Sequence, residues 1–138
     1  MFKVYSEVEK GKLLCSFSKG LELSKYRTEL SPSEEYLQAS GRKIEAGTHV
    51  WAHKHLPLER KTEATQEAWV IVEGSVEATI YDLDDTLLKK ILLSRGDCLV
   101  LFRGGHAMDV MNEDTIMYEF KTGPYYGLQK DKVAINEN

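Results

Sequence analysis

His53 and His55 are separated by a single residue, in a stretch that starts after Gly47. On an extended strand, residues i and i+2 point to the same side because side chains alternate between the two faces. Imidazole is the commonest metal ligand among protein side chains, and two side by side supply half of a four-ligand site. The chain has only two other histidines, His49 and His106. The pair therefore predicts a metal site, and the alternative is that these histidines simply line a β-barrel.

Short strands separated by turns are the elements that would position these side chains. Periodicity and turn residues predict strands over 49–55, 67–73, 76–81, 87–93, 98–102, 106–110 and 116–121, with weaker candidates at 2–8 and 13–17. Ser31 and Pro32 resemble a helix start, but residues 36–39 could equally be extended. Residues 82–85 carry three aspartates and are expected to form a solvated hairpin tip, because the ligand spacing of a calcium loop is missing. We predict an all-β fold, a sandwich or a barrel.

The first half of this pattern resembles the first motif of the cupin superfamily, small β-barrels that hold a metal inside. That motif has a glycine, five residues, His-x-His, a spacer, a glutamate, six residues and a second glycine. Gly47 precedes His53 with five residues between them, and Glu67 precedes Gly74 with six.

A second stretch resembles the other cupin motif, which begins Gly-Asp and ends at a histidine. Gly96 and Asp97 open it, an apolar run follows, and His106 closes it. The chain departs from the family where Phe102 replaces a proline and where His106 comes one residue early after Gly104. The resemblance covers about residues 41–121.

The spacer of the first motif is longer here than in the family. Eleven residues separate His55 from Glu67. Glu59 satisfies the usual short spacing from His55, whereas Glu67 satisfies the spacing to Gly74 and opens an apolar run. We expect Glu67 to be the ligand and residues 56–66 to contain an enlarged loop, with Glu59 as the alternative.

The resemblance implies one cupin-like domain, a double-stranded β-helix or jelly-roll barrel, over residues 1–138. Its barrel core would span about 36–121, with N-terminal strands in 2–30 and a C-terminal tail over 122–138. The implied metal ligands are His53, His55, Glu67 and His106. Three imidazoles and a carboxylate suit a divalent transition metal, iron, manganese, nickel, zinc or copper, better than calcium or magnesium.

Residues around this centre are candidates for binding a substrate. Trp51, Trp69 and Met108 could provide apolar walls, although each could equally belong to the barrel core. Arg60 in the enlarged loop and Arg103 before the glycine pair could bind a carboxylate or a phosphate, with a solvated arginine as the alternative.

Composition excludes several classes of function. The net charge of -4 argues against nucleic acid or an anionic membrane as the main partner. Neither a transmembrane run nor the apolar core of a signal peptide is present, so a cytoplasmic protein is expected. Cys15 and Cys98 match no zinc or redox spacing, and Cys98 is expected to be a buried thiol rather than a catalytic one.

These residues favour a metal-dependent enzyme that acts on a small organic molecule, a dioxygenase or an isomerase of a sugar or keto acid. The alternatives are a non-catalytic module that binds a sugar or small acid, and a metal that only stiffens the barrel. We also expect a homodimer, because Ala68, Val70 and Val72 form an apolar face opposite Glu67 that needs cover. The N-terminal strands of the same chain could supply that cover instead.

Overall fold

The fold is built almost entirely from antiparallel strands. A computed structural model of the chain describes residues 1–136. The strands are β1 (Phe2–Tyr5), β2 (Leu13–Ser18), β3 (Thr28–Glu29), β4 (Ser40–Gly41), β5 (Glu67–Glu73), β6 (Ser75–Tyr81), β7 (Leu87–Ser94), β8 (Cys98–Leu101), β9 (Gly105–Val110) and β10 (Ile116–Lys121). One short helix, α1 (Leu128–Asp131), follows them, and a 3-10 turn lies at Gly20–Glu22. The all-β class predicted from the sequence is confirmed.

The strands form two larger sheets and one small one. The first sheet has the order β1-β2-β8-β5-β10, and the second has the order β7-β6-β9. The pair β3-β4 stands apart. All pairs are antiparallel. Among the described residues, β10 is an edge strand of the first sheet and β9 is an edge strand of the second.

The two larger sheets pack face to face around one core. Alternate residues of β5 and β8, including Trp69, Ile71 and Leu99, point towards Ala78 of β6 and Leu93 of β7. Alternation of this kind is what a strand with one buried face requires. It places Glu67, two residues before Trp69, on the same inward face of β5.

A second, smaller core covers part of the opposite face of β5. Ala68 packs there with Leu13, Leu30, Val100 and Phe102. For Ala68, the N-terminal part of the chain itself therefore supplies the cover, which is the alternative to the homodimer face expected from the sequence. Nearer the end of the strand, Val72 stays exposed.

The turn between β5 and β6 depends on a glycine. Gly74 has φ +76, a left-handed conformation that residues with a Cβ rarely adopt. A side chain there would also meet Thr115, whose hydroxyl accepts a hydrogen bond from Ser75 N at 3.1 Å. Gly74 therefore allows β5 to turn directly into β6.

The strand predicted over residues 49–55 is not formed. Residues 42–65 contain no regular structure, and every one of them is exposed. Val50 and Trp51 are residue types that suit a strand, but a strand also needs a neighbour to satisfy its backbone groups. No strand pairs with this stretch among the described residues, and its backbone is left exposed. The possible helix after Ser31 is likewise replaced by turns.

Asp82 also differs from its expected role in a solvated hairpin tip. The residue is buried, and its Oδ2 accepts hydrogen bonds from the backbone N–H groups of Glu7 at 2.7 Å and Val8 at 3.2 Å. The segment after β1 is thereby tied to the end of β6. The exposed aspartates of this turn are Asp84 and Asp85.

Among residues 1–136, no helix has the length and apolar character needed to cross a membrane.

Candidate functional site

Glu67 is the buried carboxylate at the centre of the candidate site. It opens β5 and is only 3% exposed. The register of the first sheet pairs it with Lys121 of β10 on one side and Leu101 of β8 on the other. Lys121 Nζ lies 3.7 Å from Glu67 Oε1. A buried carboxylate is costly unless charges or hydrogen bonds compensate it, so this position calls for partners.

His106 approaches Glu67 from the other sheet. Its Nε2 lies 3.2 Å from Glu67 Oε2, and its ring meets the indole of Trp69 edge to face, with centroids 5.3 Å apart. His106 is held on β9 opposite Ile80 of β6. Two of the four metal ligands predicted from the sequence, Glu67 and His106, therefore lie together.

The electrostatics of the pair favour an ionised carboxylate. The neighbouring imidazole of His106 lowers the pKa of Glu67, and Lys132 and Lys121 lower it further. Burial of the carboxyl group acts in the opposite direction, but it is the weaker influence. Glu67 is consequently an anion at neutral pH in this site.

Two polar atoms of the site lack hydrogen-bond partners within the described residues. They are Glu67 Oε2 and Trp69 Nε1. His106 Nε2 lies 3.2 Å from Glu67 Oε2, so that oxygen has the imidazole beside it although it makes no regular hydrogen bond. Buried polar groups are nearly always satisfied by protein or by water, which makes these two atoms unusual.

The side chains of Glu67 and Trp69 line a cavity of about 730 Å³. Its wall also includes Tyr81, Leu101, Met108 and the Gly104–Gly105 pair. This size is in the range of pockets that take small organic molecules. The cavity is therefore large enough for a small organic ligand, and Glu67, Trp69 and His106 all belong to its wall.

The segment after α1 closes one side of the cavity, a feature that the sequence did not reveal. Lys132, Val133 and Ile135 line it, and a Cβ at Gly105 would overlap the Ile135 side chain. Asp131 anchors the segment through Lys121 Nζ at 3.4 Å. The glycine at 105 and the apolar Val133 and Ile135 are the only signals for this closure. Residues 137 and 138 of the predicted tail lie outside the described residues.

Arg103, a predicted substrate-binding residue, has protein partners. Its guanidinium donates to both carboxylate oxygens of Glu35, at 2.8 and 2.9 Å, and to the carbonyl of Leu13 at 2.6 Å. Gln66 also donates to Glu35. Arg103 therefore borders the cavity but serves mainly to fix the segment around Glu35 against β2 and β5.

The remaining predicted residues divide between the cavity and the solvent. Trp69 and Met108 line the cavity. Trp51 and Arg60 lie in the exposed stretch 42–65. Glu59, the alternative to Glu67, is exposed there beside Lys61. Glu67, in contrast, lines the cavity.

His53 and His55 are also exposed and do not join Glu67 and His106. Their rings lie 5.6 Å apart, centroid to centroid, so the pair is close in space as the spacing predicts. Within residues 1–136 there is no cluster of three or more side chains suited to hold a metal ion. The four predicted ligands therefore lie as two separate pairs, His53 with His55 and Glu67 with His106.

The two cysteines do not belong to the site chemistry. Burial raises the pKa of Cys15 to about 12 and that of Cys98 to about 11. Thiols with such pKa values are not nucleophiles at neutral pH.

The chain matches no protein-family model, no curated protein and no solved structure.

Proposed function

We propose that the cavity beside Glu67 binds a small hydroxylated organic molecule, such as a sugar or a hydroxy acid. The observation that carries this proposal is a cavity wall that contains Glu67 and Trp69, each with a polar atom that has no hydrogen-bond partner among the described residues. A hydroxyl group both donates and accepts, so it suits a wall that offers a carboxylate and an indole N–H. The exposed side chain of Met108 in the same wall suits the apolar face of such a ligand.

The Glu67–His106 pair also supports proton transfer to or from this ligand. A carboxylate and an imidazole within hydrogen-bond reach of the same substrate are the common participants in general acid–base catalysis. This chemistry agrees with isomerisation of a sugar or keto acid, one of the reactions expected from the sequence. Binding without catalysis is the alternative.

A divalent transition metal is the second proposed occupant, with Glu67 and His106 as its first ligands. The carboxylate oxygen and the imidazole nitrogen are adjacent, and both are donors that such metals accept. Two protein ligands are fewer than the three or four of ordinary sites. The histidine pair 53 and 55 would have to join them. A bound metal would polarise a carbonyl group or lower the pKa of a bound water.

Saturation-transfer NMR with a panel of monosaccharides and 2-hydroxy acids tests the ligand proposal. We expect saturable signals from one class of the panel and their loss in Glu67→Gln, which removes the anionic acceptor. Glu59→Gln is the matched control, because Glu59 is exposed and outside the cavity, and it should bind like the parent. Equal binding by Glu67→Gln and the parent contradicts the proposal.

Elemental analysis tests the metal proposal separately. Protein purified without added metal should hold a stoichiometric transition metal, and both the His53→Ala/His55→Ala double variant and His106→Ala should lose it. Unchanged metal content in the double variant would exclude the histidine pair as ligands. The ligand proposal would be unaffected by that result.

A further inference from the structure

The outer edge of β9 is open, and we call it the open edge. Among the described residues β9 pairs only with β6. Met108 and Val110 share the inward face with His106, yet both are exposed. An uncovered edge with apolar side chains on its inner face is a ready template for another strand.

The 42–65 segment has the complementary property. Trp51 and Leu56 are each 81% exposed, and Val50 and Trp51 belong to the residue types enriched in strands. Among the described residues, each hydrogen bond made by residues 44–61 joins two residues of this segment. Examples are the bond from Thr48 N to Glu45 O and the bond between His53 Nδ1 and Trp51 O. Apart from Thr48 N and Trp51 O, the backbone groups of 48–56 have no hydrogen-bond partner among the described residues and are available for pairing.

The charges of the two features are opposite. The segment 42–65 contains five basic and three acidic residues, whereas β9 and the turn after it, residues 105–115, contain three acidic residues and no lysine or arginine. Asp109 lies on β9 itself, and Glu113 and Asp114 lie in the turn that follows it. Complementary charge of this kind favours encounter and fixes register.

We propose that residues 48–56 of a second copy add as a strand to the open edge of β9, and that the exchange is reciprocal. Both features belong to one chain but do not meet within it. In a two-fold dimer each copy supplies a strand and receives one, so both 48–56 segments and both open edges are paired. The segment is held at both ends, by Lys43 N bonding to Lys25 O and by Gln66 entering β5, so it can project as a loop without unfolding the sheets.

This exchange has a consequence for the site. Neighbouring strands lie about 4.8 Å apart, so histidines on a strand added to β9 come within reach of His106. The exchange is a pairing of backbones, so it does not depend on the proposed metal or ligand. Its readout is the mass of the particle in solution.

Light scattering at micromolar concentration tests the exchange. We expect the parent to have twice the 15.7 kDa mass of the chain. Ala52→Pro should raise the dimer Kd by about 100-fold or more and give a monomer, since proline removes a ladder N–H and resists pairing. Lys61→Pro is the matched control in the same exposed stretch but outside residues 48–56, and it should remain a dimer. Lys61→Pro should keep the parent's circular-dichroism spectrum, whereas Ala52→Pro should stay folded and lose only the small β contribution of the exchanged strand.

Hydrogen exchange separates the possible occupants of the edge. In the exchanged dimer the amides of residues 48–56 are protected, and their protection falls on dilution. A monomeric parent, including one whose segment is protected at every concentration because it docks on its own chain, overturns the proposal. So does a dimer that persists unchanged in Ala52→Pro, because another surface would then hold it together.

Discussion

The two tryptophans of this chain lie in regions of opposite character. Trp69 on β5 is 2% exposed, whereas Trp51 in the 42–65 segment is almost fully exposed. Both stretches have sequences suited to strands, but β5 is flanked by β8 and β10 and the other stretch has no neighbour among the described residues. A neighbouring strand to pair with therefore matters more than the local sequence pattern in deciding whether a strand forms.

The largest effect that separates the two regions is the loss of a buried leucine. Leu93→Ala on β7 removes a fully buried side chain and should cost about 2–5 kcal/mol of the free energy of unfolding. Leu58→Ala in the exposed segment should change it by less than about 0.5 kcal/mol. Urea denaturation followed by circular dichroism measures both. Similar losses in the two variants would mean that the segment is packed after all.

A smaller effect is expected at Asp82, which joins the N-terminal part of the chain to the second sheet. Asp82→Ala leaves the N–H groups of Glu7 and Val8 without their acceptor and should cost about 1–3 kcal/mol. Asp84→Ala, in the exposed part of the same turn, is the control and should lose clearly less. The same denaturation experiment measures both variants. Equal losses in the free energy of unfolding would mean that Asp82 contributes no more than a solvated turn residue.

How far the sequence could predict the molecule is visible in β5 and the 42–65 segment. The continuous apolar run after Glu67 predicts the bounds of β5 correctly. The spacing to Gly74 favours Glu67 over Glu59 as the metal ligand. Periodicity alone carried no information about a missing partner, so residues 49–55 were assigned a strand. The burial of Asp82 and the packing of Ile135 against Gly105 arise from contacts between residues distant in the chain, which no local pattern encodes.

The smallest expected effect on stability is at Glu67. The pKa of this carboxyl is lowered in the folded protein, so it stabilises the fold when ionised. That contribution is fully present above the pKa of an unfolded glutamate, about 4.3, and is lost as the pH falls through the lower folded value. We expect Glu67→Gln to be less stable than the parent at pH 7, by on the order of 1 kcal/mol.

The difference between parent and variant should close as the pH falls below about 4. Denaturation curves at several pH values measure this difference. A gap that stays constant down to acid pH would show that the charge of Glu67 does not stabilise the fold. Glu59→Gln should show no such dependence, because Glu59 is exposed.

A single tryptophan can test whether the cavity at Glu67, Trp69 and His106 is the functional site that we propose. Trp51→Phe leaves Trp69 as the single tryptophan, so its fluorescence reports on the cavity alone. Titration with the hydroxylated ligand selected by NMR should change this fluorescence saturably, and the added substitution Glu67→Gln should abolish the change. A ligand that binds Trp51→Phe with parental affinity but leaves the emission of Trp69 unaltered would place the binding site elsewhere and contradict the claim.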